Sequence, residues 1–445
     1  MARARAVVIG AGIGGLAAAA GLCSAGWDVT ACERAASLEP VGAGLSLGPN
    51  GLRALDVIGA GNALRALAVP QELGIRRSSG GWLMRSATGQ MVADRFGDPV
   101  ILVRRAAVID ALAARVPGGV VSLGTVVTSV EPGGNAAARV STTMGELEAD
   151  LVVAADGIGS GTRRALFPGH PGLRYAGFTT WQLLTGPVTG QVLMAESWGR
   201  GAVFGVMPLS DGRVYCYAAA PAESGTRAGD ELAELVRLFG AWHEPIPALL
   251  ATARPQDVFR RDVAELAAPL PSFHRGRAVL LGDAAHPMTP NLGQGACQAL
   301  EDAAVLARLA TGTEPDAVAD MLGRYTAARL ARTTDVVRWS RRAATMATLA
   351  SPPAVALRNT MAWLTGKLAR GAALRSLTPV YDWQPPAPAP PAGTTGNRLS
   401  ATDSGLRVRR CLRRSTTRDH ERSIISIYSC LMYFRMASMT GPGAC

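Results

Sequence analysis

Apolar residues at the start of the chain form two short runs on either side of a glycine-rich stretch. Residues 6–9 are a continuous apolar run of strand type, and residues 16–25 have the pattern of a helix. Residues 27–33 form a second strand-like run that ends on an acid. This order predicts a βαβ unit, so the two strands should be parallel neighbours in a sheet.

The rest of the chain alternates between strand-like and helical patterns. Buried-strand runs lie at residues 151–155 and 277–281. Between them, residues 173–220 are richer in aromatic side chains and show no helical period, which predicts an antiparallel sheet layer. The pattern is helical over residues 294–310 and again over about 316–350. Together these runs predict an α/β protein.

Composition narrows the class of protein. The chain has 445 residues, of which 48% are apolar and 18% charged, so it can bury a large core and wholesale disorder is excluded. The net charge of +11 would suit nucleic acid, but 44 of the 45 basic residues are arginine, a skew that a biased source genome explains. The last 50 residues contribute +6 of this charge, which leaves +5 for the body. No nucleic-acid partner is predicted.

Cysteine usage and the N-terminus favour the cytoplasm. The seven cysteines are dispersed, with no CxxC pair and no histidine at zinc spacing, which suits a reducing compartment and gives no metal site. Five glycines interrupt the apolar run that follows Arg3 and Arg5, unlike the run of a signal peptide. No run of 18 or more apolar residues predicts a membrane-spanning helix.

The C-terminal part differs from the body. Residues 384–393 are rich in proline and predict a stiff, extended hinge. Beyond it, residues 396–445 hold nine arginines against three acids, and an apolar run, Ile424–Phe434, that is too short to span a bilayer. We interpret this tail as a disordered extension without function; the alternative is an anchor at a surface or membrane interface.

The glycine-rich stretch from Gly10 to Gly15 matches G-x-G-x-x-G between a strand and a helix. Gly10 permits a tight turn, Gly12 lets the backbone approach a pyrophosphate, and Gly15 lets the helix pack closely on the strand. Glu33 follows 18 residues after Gly15, where it can accept hydrogen bonds from a ribose hydroxyl. An acid disfavours a 2′-phosphate, so the motif predicts FAD or NAD rather than NADP.

Two further motifs follow the later strand-like runs. Residues 156–163 place Asp156 and a basic residue seven positions apart on a turn, where they could orient a cofactor. Residues 282–297 read as a Gly-Asp pair, a proline-rich loop and a glycine pair that begins a helix. Asp283 could bind a polyol hydroxyl, and the helix start at residues 293–295 could face the negative charge that a reduced flavin carries at its N1–C2=O edge.

These three motifs, in this order and spacing, resemble those of the single-component (group A) FAD-dependent aromatic hydroxylases, which include salicylate and para-hydroxybenzoate hydroxylases. The resemblance runs from about residue 4 to 384 and is nearest the urate- and salicylate-hydroxylase branch. It implies a Rossmann-like FAD-binding fold of the para-hydroxybenzoate hydroxylase type, with an antiparallel-sheet substrate domain and C-terminal helices. Further family-like segments are Val41–Ser46, the stretch around Arg105, and Leu377–Trp383.

The resemblance also implies the chemistry and the contacts. NADH or NADPH would reduce non-covalent FAD, O₂ would add at C4a, and the flavin hydroperoxide would hydroxylate an aromatic small molecule in a monomeric or homodimeric enzyme. No side chain is assigned a catalytic role, and His286 is expected to pack beside the flavin rather than act as a base. The implied FAD contacts are Gly10, Gly12, Gly14, Gly15, Glu33, Arg34, Ser46, Arg105, Val127, Asp156, Asp283, Gly293, Gln294, Gly295, Ala296 and Cys297.

Two departures argue against urate as the substrate. Asn291 stands where urate hydroxylases have an aspartate, and their substrate-binding arginine falls on an apolar position near Val203. Their tyrosine is kept as Tyr215, so Tyr215 and Asn291 are the candidate substrate contacts. An epoxidase or oxygen-inserting enzyme on the same fold is the alternative activity. A flavoprotein without turnover is a weaker one, since Asp283 and the Gly-Gln-Gly turn are intact.

The resemblance predicts a division of the chain into interleaved parts. The FAD-binding domain would comprise residues 1–75, 101–172 and 271–345. The substrate-binding sheet domain would comprise residues 76–100 and 173–270, followed by a helical segment at 346–384 and the hinge and tail at 385–445.

Overall fold

The protein alternates strands and helices along its whole described length. The computed structural model describes residues 3–38, 44–68, 73–86, 88–187, 192–368 and 374–387. The start of the family-like segment Val41–Ser46 and the predicted tail at 396–445 lie outside the described residues, as does the hinge beyond residue 387.

The described strands fall into four sheets. They are β1 (Arg5–Ile9), β2 (Asp28–Cys32), β3 (Gly44–Leu47), β4 (Leu73–Arg77), β5 (Trp82–Ser86), β6 (Ile101–Arg104), β7 (Val121–Ser122), β8 (Val127–Glu131), β9 (Ala138–Thr142), β10 (Gly145–Ala149), β11 (Leu151–Ala154), β12 (Leu173–Pro187), β13 (Ala195–Trp198), β14 (Val203–Pro208), β15 (Arg213–Pro221), β16 (Phe259–Leu266), β17 (His274–Arg275) and β18 (Ala278–Leu280).

The helices connect and cover these sheets, and two short 3₁₀ turns at Gly282–Ala284 and Pro290–Leu292 shape the loop between β18 and the next helix. The α-helices are α1 (Ile13–Ser24), α2 (Pro49–Ile58), α3 (Gly61–Arg65), α4 (Thr88–Phe96), α5 (Arg105–Ala113), α6 (Gly161–Leu166), α7 (Glu231–Phe239), α8 (Ile246–Thr252), α9 (Gly295–Ala310), α10 (Val318–Ala347), α11 (Pro352–Leu368) and α12 (Thr378–Tyr381).

The first sheet is parallel apart from one edge, in the order β17-β18-β11-β1-β2-β7. The predicted βαβ unit is present, because β1 pairs in parallel with β2 and α1 connects them. Helix α1 is almost entirely apolar and is buried between this sheet and α9. The packing is close: a Cβ added at Gly21 would lie 2.7 Å from the Cβ of Ala307. This contact holds α9 closely against α1.

The largest sheet has seven strands, in the order β16-β12-β15-β14-β13-β4-β5. The sequence predicted an antiparallel layer, and every pair is antiparallel except β4 with β13, which is parallel. Its face carrying Trp181, Leu183 and Phe204 packs against α7 and α8. The opposite face carries Tyr215, which packs on Gly44 of β3. Because β4 begins at Leu73, the predicted domain boundary at residue 75 falls inside a strand, and the division itself stays a prediction.

Two arginines hold the C-terminal segment against the body. Arg53 donates hydrogen bonds to the carbonyl oxygens of Trp383 (2.8 Å) and Tyr381, and Arg332 donates to those of Pro379 (2.8 Å) and Val380 (2.9 Å). The ring of Tyr381 then packs on Gly48, where an added Cβ would lie 2.8 Å from the tyrosine Cε1. The segment around α12 is therefore an integral part of the structure.

Deleting residues 396–445 should leave FAD content and turnover nearly unchanged, whereas a chain that ends at residue 377 should lose both. The second deletion removes the carbonyls that Arg53 and Arg332 bind and uncovers Gly48, at about 1 kcal/mol per lost hydrogen bond. We expect its melting temperature to fall by at least about 5 °C. Thermal melts and flavin absorbance of both truncated chains test this. A large loss in the longer chain would give the tail a role in the fold.

Candidate active site

The glycine turn after β1 is shaped by close backbone contacts. Gly10 has φ +92°, and a Cβ there would lie 2.7 Å from the carbonyl oxygen of Ala155. A Cβ at Gly14 would lie 2.6 Å from a methyl of Leu281, and one at Gly15 only 1.8 Å from the carbonyl oxygen of Gly10. At Gly12 there is open space instead, with nothing within 4 Å. The turn is tight on every side except the one at Gly12.

Glu33 follows β2 and braces the glycine turn. Its Oε2 accepts a hydrogen bond from the backbone N–H of Ala11 at 2.7 Å, and its Oε1 accepts one from Ala35 at 2.9 Å. A carboxylate can accept about four hydrogen bonds, so two acceptor positions remain for ribose hydroxyls. Glu33 therefore has a structural role that the sequence analysis did not foresee.

The three sequence motifs meet at one edge of the parallel sheet. The turn at Gly10 follows β1, Asp156 follows β11, and Asp283 follows β18, and these three strands are direct neighbours. Arg163 ties the second motif to the third, because its guanidinium donates to the carbonyl oxygen of Ala284 at 2.9 Å and to that of Asp283 at 3.3 Å. The base that the sequence offered as a cofactor contact is thus occupied in joining the loops.

The carboxylate of Asp283 is exposed at the edge where the three motifs meet, near Arg105 and Arg261, and we call this region the cleft. No hydrogen bond joins it to another described residue, and its side chain is exposed. The surrounding protein still limits its hydration and raises its pKa, while the charges of His286, Arg105 and Arg261 act in the opposite direction. The Arg105 guanidinium also has no hydrogen bond to a described residue, and desolvation lowers its pKa. This arrangement leaves both groups available to a bound molecule.

Arg261 is a component of this cleft that sequence reasoning missed. It lies on β16 and pairs with Thr180 of β12, which in turn pairs with Ala219 of β15. Tyr217 lies two residues before Ala219 and therefore on the same face of the sheet. Its side chain is exposed and close enough to affect the pKa of Asp283 and of Arg105. Its side chain faces the cleft because β16 pairs with β12 in this register, and the sequence alone does not reveal that pairing.

Behind the third motif lies a buried network of charges on α9 and α10. Arg329 is fully buried and donates to Oδ1 of Asp302 at 2.6 Å and to Oε2 of Glu301. Burial alone would raise the pKa of Asp302, but the charges of His286 and Arg329 outweigh it and hold that pKa below its usual value. Asp302 also accepts from the N–H of Gly282 (2.9 Å) and pairs with Nε2 of His286 (2.6 Å). The network fixes the loop that carries Asp283.

The Gly-Gln-Gly turn packs against the segment that begins with Ser46. A Cβ at Gly293 would lie 2.3 Å from Oγ of Ser46, so only glycine allows this approach. The side chain of Gln294 is buried and accepts from Nδ2 of Asn50 at 2.9 Å. The thiol of Cys297 accepts from the N–H of Gly48 at 3.5 Å, and burial raises its pKa to about 12. The side chains of Gln294 and Cys297 therefore point into the protein, and only their backbone is available to a cofactor.

Three predicted contacts remain, two of them near the carboxyl end of β2 and one on α9. Val127 begins β8, and the preceding loop is tied to the residue after β2 because Thr125 donates its N–H to the carbonyl oxygen of Glu33 at 2.8 Å. Arg34 is exposed and has no hydrogen bond to another described residue. Ala296 is half-buried in the first turn of α9, beside Gly295. The roles of these three residues in cofactor binding therefore stay predictions.

The two candidate substrate residues lie on different elements, Tyr215 on β15 and Asn291 in the 3₁₀ turn before α9. Tyr215 packs on Gly44, where a Cβ would lie 2.8 Å from the ring, and burial raises the pKa of its phenol. Its hydroxyl has no hydrogen bond to a described residue. Oδ1 of Asn291 is buried and also lacks a partner among the described residues. Val203 is only 1% exposed within an apolar cluster that includes Phe178, so it offers no charge to a ligand.

The site fits FAD by its unsatisfied groups. Among the described residues, six side-chain atoms are buried without a partner, and three of them belong to the second and third motifs: Oδ1 of Asp156, Nδ1 of His286 and Oδ1 of Asn291. Buried polar groups are almost always paired in native proteins, so a cluster of exceptions indicates a missing ligand. Open space at Gly12 would take a pyrophosphate, and the free carboxylate of Asp283 would take a polyol hydroxyl.

Asp283→Ala should weaken FAD binding more than Glu33→Ala does. The first change removes the free carboxylate of the cleft and leaves a buried ligand hydroxyl unpaired, a cost of about 1–3 kcal/mol, or roughly a 5- to 150-fold rise in Kd. The second removes a half-buried carboxylate, and water can take over its hydrogen bonds from the N–H groups of Ala11 and Ala35. Titration of the two apo-proteins with FAD measures both, with thermal melts as the check on folding. Equal or reversed losses would contradict this ordering.

Comparison with known proteins gives consistent results. Residues 3–340 match a family model described as FAD binding domain. The chain is 37% identical over 340 residues to the aurachin C monooxygenase/isomerase of Stigmatella aurantiaca, covering 76% of this chain and 88% of that protein. It is 32% identical to an FAD-dependent urate hydroxylase of Klebsiella pneumoniae, covering 76% and 89%. A variant of Klebsiella pneumoniae HpxO solved with FAD superposes with a TM-score of 0.78 at 28% identity, covering 85% and 98%.

Proposed function

Because the chain belongs to the family of FAD-dependent aromatic hydroxylases and monooxygenases, we propose that it uses NADH or NADPH and O₂ to hydroxylate an electron-rich aromatic or polycyclic small molecule. The observation that carries the proposal is the meeting of three motifs at the carboxyl ends of β1, β11 and β18. Ligands of such sheets bind in the crevice at this edge.

Different residues would bind the pyrophosphate, the ribose and the flavin ring of FAD. The turn at Gly12 and the N-terminus of α1 would bind the pyrophosphate, and Glu33 the ribose. Arg105 and Asp283 would contact the flavin side, and the N-terminus of α9 at Gly295 would favour negative charge on the ring. When bound, FAD supplies the transfer of two electrons from the nicotinamide to O₂ and of one oxygen atom to the substrate.

Three side chains near the site are uncharged, which suits positioning of a substrate rather than proton transfer. The phenol of Tyr215 stays protonated because burial raises its pKa, so it can donate a hydrogen bond to a substrate oxygen. The thiol of Cys297 stays protonated for the same reason and is no nucleophile. The amide of Asn291 can orient a substrate without adding charge. These residues would position a ring and exclude water rather than transfer protons.

We propose that urate is not the substrate. A purine anion would gain from a cation at the position near Val203, and that position supplies a buried, uncharged side chain instead. The cation that the same sheet does offer, Arg261, lies three strands away on β16. Asn291 likewise offers a neutral amide. A ring with less polar substituents fits this wall better.

The experiment is a substrate panel with a product readout. The purified protein should be yellow, and denaturation followed by filtration should release the FAD, because no covalent link is expected. Phenols, polycyclic aromatics and urate are then compared by NADH and NADPH oxidation and by product mass. A gain of one oxygen atom with one compound, and none with urate, supports the proposal. Oxidation of NAD(P)H that yields only hydrogen peroxide across the panel would contradict it.

A further inference from the structure

Helix α11 carries an exposed apolar stripe. Leu357, Leu364 and Leu368 lie within about 40° of arc on this helix. They are 43%, 36% and 81% exposed, and Trp363 on the flank of the stripe is 40% exposed. Large apolar side chains usually become exposed singly, so four on one helix mark an interaction surface. We call this surface, made of these four residues, the α11 stripe.

Two other sides of α11 are held by contacts with the body, so the helix cannot rotate to bury the stripe. The guanidinium of Arg358 is buried and donates to the carbonyl oxygens of Gly199 and Ala347, each at 3.0 Å. It also lies over the ring of Trp198, 5.0 Å from its centroid. Gly366 approaches β5 so closely that an added Cβ would lie 3.1 Å from Cγ of Met84. Exposure of the stripe is therefore fixed by the fold.

The surroundings of the α11 stripe are basic. Residues 352–381, which include α11, contain four basic residues and no acid, although one of the four is the buried Arg358. Residues 73–86, which form β4 and β5, contain three arginines and no acid. Helix α11 packs along β5, so the two segments are adjacent. Lys367 extends from the stripe with its ammonium 4.2 Å from the centroid of Trp363. Apolar side chains, a flanking tryptophan and a border of cations occur here together.

We propose that the α11 stripe binds the surface of a membrane that contains anionic lipids, with α11 lying in the plane of the interface. Leucines entering the acyl boundary, tryptophan at headgroup depth and cations against lipid phosphates are the features of interfacial helices. A second copy of this chain is a poor occupant because two basic borders would repel each other. The chain's own tail, residues 396–445, has an apolar run at Ile424–Phe434 but a net charge of +6, so it is disfavoured for the same reason. Among the described residues no helix is long and apolar enough to cross a bilayer.

The experiment uses the full-length holoprotein and vesicles made of equal parts phosphatidylglycerol and phosphatidylcholine, with pure phosphatidylcholine vesicles as the neutral comparison. Flotation should recover the protein with the anionic vesicles, and added salt should weaken the association because exposed charges are screened. Leu364→Glu/Leu368→Glu should lower the partition coefficient at least about tenfold, with FAD content and turnover unchanged.

The matched control is Leu173→Glu/Val236→Glu, which adds the same charge at residues that are 42% and 47% exposed elsewhere. It should bind vesicles like the wild type. Three outcomes would overturn the proposal: no binding to anionic vesicles at low salt, equal binding by both double variants, or no vesicle binding together with a change from dimer to monomer in Leu364→Glu/Leu368→Glu. The second would assign binding to another part of the chain, and the third would assign the stripe to a contact between copies.

Discussion

Gly15→Ala is expected to abolish FAD binding and to lower the free energy of unfolding by more than about 3 kcal/mol. Alanine in a helix is ordinarily favoured over glycine by about 1 kcal/mol, so propensity alone predicts stabilisation. The steric contact makes the change destabilising instead. The new Cβ would lie 1.8 Å from the carbonyl oxygen of Gly10, and this oxygen cannot move aside because it is part of the backbone at the end of β1. Denaturant unfolding and flavin absorbance measure the two effects.

Gly12→Ala is the matched control for this change. Its Cβ would meet nothing within 4 Å, and Gly12 has φ −72°, which any residue adopts. The apo-protein should therefore unfold within about 0.5 kcal/mol of the wild type. Its FAD affinity should still fall, because the methyl projects into the space where the pyrophosphate would lie. A Gly15→Ala protein that is yellow and melts like the wild type would show that the contact has been misjudged.

Arg329→Met should destabilise the protein by about 3–5 kcal/mol at pH 7, because it removes the fully buried cation between two carboxylates and leaves one of them with Arg332 alone and the other with His286 alone. Those carboxylates belong to Glu301 and Asp302, and both are fully buried beside the guanidinium. Arg338→Met, on the same helix, removes an exposed pair with Asp335 and should cost less than about 0.5 kcal/mol. Denaturant unfolding of the two variants against the wild type gives both numbers.

The pH dependence of this deficit distinguishes a charge effect from lost packing. Burial raises the pKa of Glu301 and Asp302, but nearby cations outweigh it, so both folded-state pKa values lie below their usual range. Such groups stabilise the wild type above about pH 4 and lose this contribution as the pH falls through the folded-state pKa. In Arg329→Met the carboxyls can protonate instead, so the deficit should shrink toward low pH. A deficit that is constant between pH 7 and pH 4 would indicate lost packing.

Local patterns were enough to predict the parallel sheet and the motif loops. The run at residues 6–9 became β1 at Arg5–Ile9, and the helix predicted from residue 294 became α9 at Gly295–Ala310. Gly10 and Gly15 show the contacts that their motif implies. These features depend on a few neighbouring residues, and for that reason a single sequence reveals them.

Features that depend on distant pairing were not predictable. Arg261 faces the cleft only because β16 pairs with β12 in one register, and Arg163 could not be known to bind loop carbonyls rather than a ligand. The parallel pairing of β4 with β13 joins segments about 120 residues apart, with no local signal. The acids Glu301 and Asp302, within an otherwise apolar helix, were a signal of the buried network that the sequence analysis did not use.

The clamp on the C-terminal segment has a consequence for how the enzyme is made in the cell. The hydrogen bond from Arg53 to Trp383 spans 330 residues of sequence, and the third motif ends near residue 297. A nascent chain emerges from its N-terminus, so the glycine turn leaves the ribosome long before α9 and α12 exist. The cofactor therefore has no complete cradle until translation is nearly finished. A cell short of flavin should then accumulate finished, colourless protein rather than interrupted chains, and later addition of FAD should convert that store to enzyme without new synthesis.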